Sequence, residues 1–160
     1  MKISQEGIAL IKKFEGCPKN AKGDAVSYRC AANKKTIGFG SLKLIDGSSV
    51  EDDMTITMQE AEELLAHELE EYEGYVNEMV ECNLLQNQFD ALVSWVFNLG
   101  PTNLKNSTLL KVLNSTHIDW VDIPHQIQRW NKVNGEVSEG LIRRREAEAL
   151  LFEGKEWHEV

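Results

Sequence analysis

Apolar residues recur at three- and four-residue steps over most of this chain, the period of helices that bury one face. Ile8, Leu10, Ile11 and Phe14 make the first such face, on a helix that Ser4 can cap and that Gly16 and Pro18 stop. A second stripe runs through Ala61, Leu64, Leu65, Leu69, Tyr72, Val76, Met79 and Val80, with Glu62, Glu63, Glu70, Glu71 and Glu78 facing away. Thr57 followed three residues later by Glu60 is a capping box, so the pattern predicts a long helix from about Met58 to Val80. At 1.5 Å per residue such a helix is ~30 Å long, enough to bridge two lobes. Phe89, Leu92, Val93, Val96 and Phe97 surround most of a helix from Gln86 to Leu99, which is expected to be buried and to end at Gly100-Pro101. Shorter amphipathic pieces follow over Ser107 to Leu113, Trp120 to Trp130 and Glu139 to Leu151.

The stretch from Tyr28 to Leu42 breaks this period and reads as a tight hairpin with Asn33-Lys34 at its tip, Asn33 being a residue that tolerates a left-handed backbone. Gly38 and Gly40, two apart, are expected on one side of the second strand, where something approaches the backbone closely. Cys17 to Ser27 reads as a polar loop, and Leu42-Lys43-Leu44-Ile45 as a third short strand before an Asp46-Gly47 turn. The expected organisation is a single α+β domain. A mixed lobe (1–57) joins a helical lobe (82–160) through the connecting helix (58–81), and the cleft between such lobes is the expected ligand site.

Composition narrows the function. Hydrophobic content of 42% and charged content of 27% are those of a soluble globular protein. No apolar run approaches the ~20 residues that span a bilayer, and the N-terminus lacks the pattern of a signal peptide, so the chain is expected in the cytoplasm without membrane insertion. The net charge of −9 argues against a general nucleic-acid binder; the basic cluster is Arg143-Arg144-Arg145, with Arg129 and Lys132 upstream. Cys17, Cys30 and Cys82 are odd in number and lack metal-ligand spacing, so free thiols are expected and neither metal nor cofactor is. Glu15 ends the first helix, where the backbone carbonyls favour a protonated carboxyl, the form a general acid needs.

In order and spacing these pieces resemble the phage-type lysozymes, the endolysin muramidases of glycoside hydrolase family 24. The family pattern is a glutamate ending the first helix, a hairpin aspartate or cysteine, and, after five intervening residues, the threonine of a Thr-Ile-Gly-aromatic-Gly stretch; Glu15, Cys30 and Thr36-Ile37-Gly38-Phe39-Gly40 match it. Met54-Thr55-Ile56-Thr57, Asn87 to Leu92, Phe97-Asn98-Leu99-Gly100, Ser107 to Leu110 and Gly140 to Glu146 also match. The resemblance implies a lysozyme-like fold and cleavage of the β-1,4 bond between N-acetylmuramic acid and N-acetylglucosamine. Glu15 would be the proton donor. Cys30 would position water or act as an anionic stabiliser or nucleophile, and Thr36 would orient the attacking water. It also implies Leu42, Phe97, Asn98 and Trp130 as saccharide contacts, Arg143 to Arg145 meeting peptide carboxylates or the acidic helix face, a monomer, and release from the host cytoplasm to the wall at lysis with the help of a separate pore-forming holin.

Two departures accompany the match. Fourteen residues lie between Glu15 and Cys30, about six more than the family usually has, and the usual interval counted from Glu15 reaches Asp24 instead, an alternative second group. Ser41 stands where the family often has histidine, a change expected to bear on stability more than on catalysis. The rival reading is a wall-binding protein that keeps the fold with its catalysis impaired.

Overall fold

The Thr57–Glu60 box closes as its spacing predicts. Glu60 N donates to Thr57 Oγ1 at 3.0 Å and Thr57 N to Glu60 Oε1 at 3.1 Å. The computed structural model describes all 160 residues, which run α1 (Gln5–Glu15), β1 (Ala25–Val26), β2 (Tyr28–Arg29), β3 (Lys35–Thr36), β4 (Thr55–Ile56), α2 (Met58–Met79) and α3 (Gln86–Leu99). There follow α4 (Pro101–Lys105), α5 (Thr108–Leu113), α6 (Asp122–Gln128), β5 (Lys132–Val133), β6 (Glu136–Val137) and α7 (Glu139–Phe152). The chain divides into two compact units, Lys12–Glu70 and Met1–Ile11 with Glu71–Val160, and the divisions fall inside α1 and α2. No helix is long and apolar enough to cross a membrane.

In the unit Lys12–Glu70, β1 pairs antiparallel with β4 (Ala25↔Ile56) and β2 with β3 (Tyr28↔Thr36, Arg29↔Lys35). The hairpin tip lies where the sequence predicts it, with Asn33 at φ 60°. Gly38 and Gly40 do not lie along a strand. They sit in a tight turn closed by Ile37 and Ser41, whose amides and carbonyls exchange hydrogen bonds at 2.9 and 3.0 Å. Leu42 to Ile45 is not a third strand either. The chain reverses at once through Asp46-Gly47, with Leu44 N donating to Ser48 O at 2.9 Å, so Leu42 and Ile45 remain 46% and 57% exposed. The 17–27 segment is more ordered than a polar loop needs to be. Val26 N donates to Pro18 O at 3.0 Å, and the Asn20 side chain accepts from the Lys22 and Asp24 amides, both at 3.0 Å. Ala25, Ile37, Phe39, Val50, Ala61, Leu64, Leu65 and Leu69 form the core of this unit.

In the other unit α3 is the buried centre: Phe89, Leu92, Val93, Trp95 and Val96 are fully inaccessible, and α7 packs along it with α6 beyond. Residues 3 and 4 are tied down by buried carboxylates. Glu73 accepts from Ile3 N at 2.6 Å, and Asp90 accepts from the Ser4 amide at 2.9 Å and from the Ser4 hydroxyl, so that hydroxyl is engaged by a distant partner. Gly100-Pro101 stops α3, and its proline also opens α4, a helix the periodicity does not show. The 120–130 piece is shorter than its pattern, Asp122–Gln128. This unit is also not wholly helical. An Asn134-Gly135 tip with both residues at positive φ joins β5 to β6, two-residue strands too short to leave a period.

Candidate active site

The end of α1, the Ile37–Ser41 turn and the first half of α2 meet within the unit Lys12–Glu70. A Cβ on Gly38 would lie 3.3 Å from Ala61 Cβ, so α2 presses on the turn with little room. Lys12 of α1 stands 5.6 Å over the Phe39 ring and pairs with Glu62 of α2 at 2.9 Å. Gly40 faces Glu15, and a Cβ there would lie 3.2 Å from Glu15 Oε2. Glycine at φ 91° therefore does two things: it makes the turn possible and it leaves space for the carboxyl.

Cys30 sits just past β2 in the hairpin loop, half-buried, its amide donating to Lys34 O at 3.0 Å. The backbone around Lys34, chiefly, and around Ala32, together with the Thr36 hydroxyl, favours the anionic sulfur and holds the Cys30 thiol below the ordinary range, against the opposing effect of partial burial. Thr36 is 2% exposed, and its hydroxyl has one proton to give: donated to Lys34 O at 2.8 Å it leaves the oxygen lone pairs for a water, and turned to the sulfur it stabilises the Cys30 thiolate. Cys17 and Cys82 differ from Cys30 in that burial pushes their thiols up, and all three cysteines are free. Asp24 has its backbone tied into the Asn20 turn ahead of β1.

Two residues join this group that the sequence reading passed over. Tyr28 pairs with Thr36 across the hairpin and lies two residues before Cys30, so all three side chains share a face. Burial, and then the negative charges of Glu15, Cys17 and Cys30, raise the Tyr28 phenol. Tyr28 is thus within electrostatic reach of both the glutamate and the cysteine. Glu68 lies seven residues after Ala61 on the apolar stripe of α2, a carboxylate where the period calls for an apolar side chain. Burial pushes it above the usual carboxylate range and the charge of Glu15 adds to this, while the Ser41 hydroxyl and His67 pull it back. Ser41 itself is 1% exposed, its Oγ near Glu68 but without a well-aligned hydrogen bond to any protein atom.

The other predicted site residues have separate surroundings. Leu42 lines an open cleft on the hairpin. In the helical unit Phe97 packs edge-to-face on Tyr72 (5.0 Å between centroids), Asn98 Oδ1 accepts from Arg145 Nη2 at 2.9 Å, and Trp130 packs edge-to-face on Trp95 (5.4 Å). Trp130 also lines a cavity of about 410 Å³ with Leu99, Ser107 and Lys132. Two of the three adjacent arginines of the basic cluster are not at the surface. Arg144 and Arg145 are 4% and 0% exposed and share the buried Glu148, at 3.4 Å from Arg144 Nε and 2.6 Å from Arg145 Nε; the latter is an ion pair, not an aligned hydrogen bond. No group of three His, Cys, Asp or Glu side chains is arranged to hold a metal ion.

The helices and small antiparallel sheets make an α+β fold of the lysozyme type. A solved endolysin from Escherichia coli O157:H7 phage FAHEc1 superposes with a TM-score of 0.84 at 35% identity, over 95% of this chain and 93% of that one. The muramidase domain of SpmX from Asticaccaulis excentricus gives 0.78 at 32% identity, over 94% and 97%. The phage lysozyme family model matches residues 12–148, and the chain belongs to that family. The endolysin of Bacillus phage B103 is 39% identical over 154 residues, 95% of this chain and 54% of its own length. That of Salmonella phage P22 is 35% identical over 152 residues, 95% of this chain and 98% of its own. The chain therefore spans about half the length of the Bacillus phage relatives it matches and nearly all of the Salmonella phage one.

Proposed function

We propose that this chain is a muramidase, a single lysozyme domain that cleaves the β-1,4 bond between N-acetylmuramic acid and N-acetylglucosamine in peptidoglycan. The observation that carries the reading is the seating of the Glu15 carboxyl against Gly40, in the same unit as the Cys30–Thr36 hairpin, with Tyr28 in reach of both. Glu15 protonates the leaving glycosidic oxygen. Cys30, its thiol lowered by the surrounding backbone, supplies negative charge toward the oxocarbenium-like centre or holds the attacking water, and Thr36 orients that water through its free lone pairs. Leu42, Phe97, Asn98 and Trp130 contact the saccharide. The names of the relatives support a role in lysis: the chain acts as a monomeric endolysin, accumulates in the host cytoplasm and reaches the wall through a pore made by a separate holin.

Purified wild type is expected to clear peptidoglycan suspensions and to leave muramic acid as the new reducing end, and Glu15→Gln to lose clearing by at least about a hundredfold. Clearing by Glu15→Gln at the wild-type rate would remove Glu15 from the mechanism. Binding of peptidoglycan without any new reducing ends would make the chain a wall-binding protein.

A further inference from the structure

Two consecutive residues of the Ile37–Ser41 turn each meet a carboxyl group, and the two groups belong to different helices. Gly40 backs the Glu15 carboxyl at the end of α1, where a Cβ would lie 3.2 Å from Oε2. Ser41, the next residue, is 1% exposed and lies beside Glu68 of α2, with a hydroxyl that has no well-aligned partner among the protein atoms. The turn is closed by the hydrogen bonds between Ile37 and Ser41 and is pressed at Gly38 by Ala61 of α2. Glu68 lies two helical turns beyond Ala61 on the same face. The turn therefore fixes where the two carboxyls stand relative to each other.

The groups that act on Glu68 come from three elements. α1 brings Glu15, whose charge opposes ionisation of Glu68; the turn brings the Ser41 hydroxyl, which favours it; and α2 brings the exposed His67, which favours it while protonated. Lys12, three residues before Glu15, is engaged by Glu62, and Tyr28 of β2, in reach of Glu15, stays neutral because its phenol is raised. Burial is the largest influence on Glu68 and holds its proton above the usual carboxylate range. Repulsion between two carboxylates is mutual. Ionisation of either one makes the second proton harder to remove, and that last proton belongs to the pair.

A general acid serves only while it keeps its proton. We propose that Glu68 is a positioning residue for the muramidase reaction, whose carboxylate, once formed beside Ser41, holds the proton on Glu15 and so carries cleavage into neutral and mildly alkaline solution; this rests on the muramidase reading. At acid pH Glu68 is neutral and has no charge to act with. Above the range in which Glu68 ionises, loss of the Glu15 proton would leave two like charges at one turn. A protonated fraction of Glu15 therefore persists there that a neutral residue at position 68 would not sustain. A coupling of about half to one pKa unit multiplies that fraction by roughly three to ten.

The test is the pH dependence of kcat/KM on soluble glycan strands for wild type, Glu68→Gln and Glu70→Gln, the last removing one exposed charge from the outer face of α2. Between about pH 5 and about pH 8 the activity of Glu68→Gln relative to wild type is expected to fall about three- to tenfold, while the relative activity of Glu70→Gln stays constant. A Glu68→Gln ratio that is flat with pH, or one that Glu70→Gln reproduces, would overturn the proposal. In parallel, the side-chain carboxyl carbon resonance of Glu68 is followed through a pH titration of isotope-labelled wild type and Glu15→Gln, a measurement that needs no activity. Its midpoint is expected to fall by about half a pH unit once residue 15 is neutral, and an unchanged midpoint would overturn the pairing. Should wild type cleave nothing at any pH, the muramidase reading fails, and the midpoint alone decides whether the two carboxyls act on each other.

Discussion

Replacing Gly40 with alanine separates what this glycine does for the turn from what it does for Glu15. Its φ of 91° lies in the left-handed region, where a side chain costs ~1–2 kcal/mol. For a chain of this size that corresponds to a fall in Tm of roughly 2–8 °C. The added Cβ would also lie 3.2 Å from Glu15 Oε2, so the carboxyl must shift by a few tenths of an ångström. Misplacing a reacting group by about 1 Å can cost roughly a hundredfold, so this smaller shift is expected to cost about tenfold in kcat/KM. Gly47→Ala is the control. Its φ of 84° imposes a similar backbone strain, and nothing lies within 4 Å of its Cβ position. Both variants should lose similar stability by differential scanning fluorimetry, while in turbidity clearing per folded molecule only Gly40→Ala should fall. Equal clearing rates for the two variants would refute the idea that Gly40 makes room for the acid.

Three further outcomes follow from the same structure. Iodoacetamide at neutral pH should modify Cys30 ahead of Cys17 and Cys82, since its thiol is lowered and theirs are raised; peptide mass spectrometry giving any other order would contradict the backbone stabilisation of its thiolate. Glu68 is raised in the folded state, so below about pH 4 both folded and unfolded forms hold the proton, and as pH rises through the folded value the fold must carry a half-buried anion and loses stability. The Tm of Glu68→Gln relative to wild type should therefore increase from about pH 4 to pH 8, and a constant difference would mean Glu68 ionises as freely folded as unfolded. Glu148→Gln takes the shared anion from two buried guanidiniums and leaves the Ser94 hydroxyl, now 2.5 Å from Oε2, with a poorer acceptor; a loss of about 3–5 kcal/mol in urea unfolding is expected, and under about 1 kcal/mol would show the cluster to be dispensable.

What the sequence determined by itself is local and periodic. The Thr57–Glu60 box, the buried circumference of Gln86–Leu99 and the Asn33 tip each follow from a few adjacent side chains, and each is found where the residues place it. The proximity of Cys30 to Thr36 is of the same kind, because hairpin register brings fixed positions to one face. Only tertiary structure could decide the rest. Gly40 meets Glu15, and Glu68 meets Ser41, because a turn, a helix end and a second helix are pressed together, and no sequence period encodes which side chains then touch. The same holds for Arg144 and Arg145. As three adjacent arginines with Arg143 they read as a surface patch, yet burial of α7 against α3 puts two of them on Glu148 inside the protein, since a buried charge is tolerable only where the fold supplies its counter-charge.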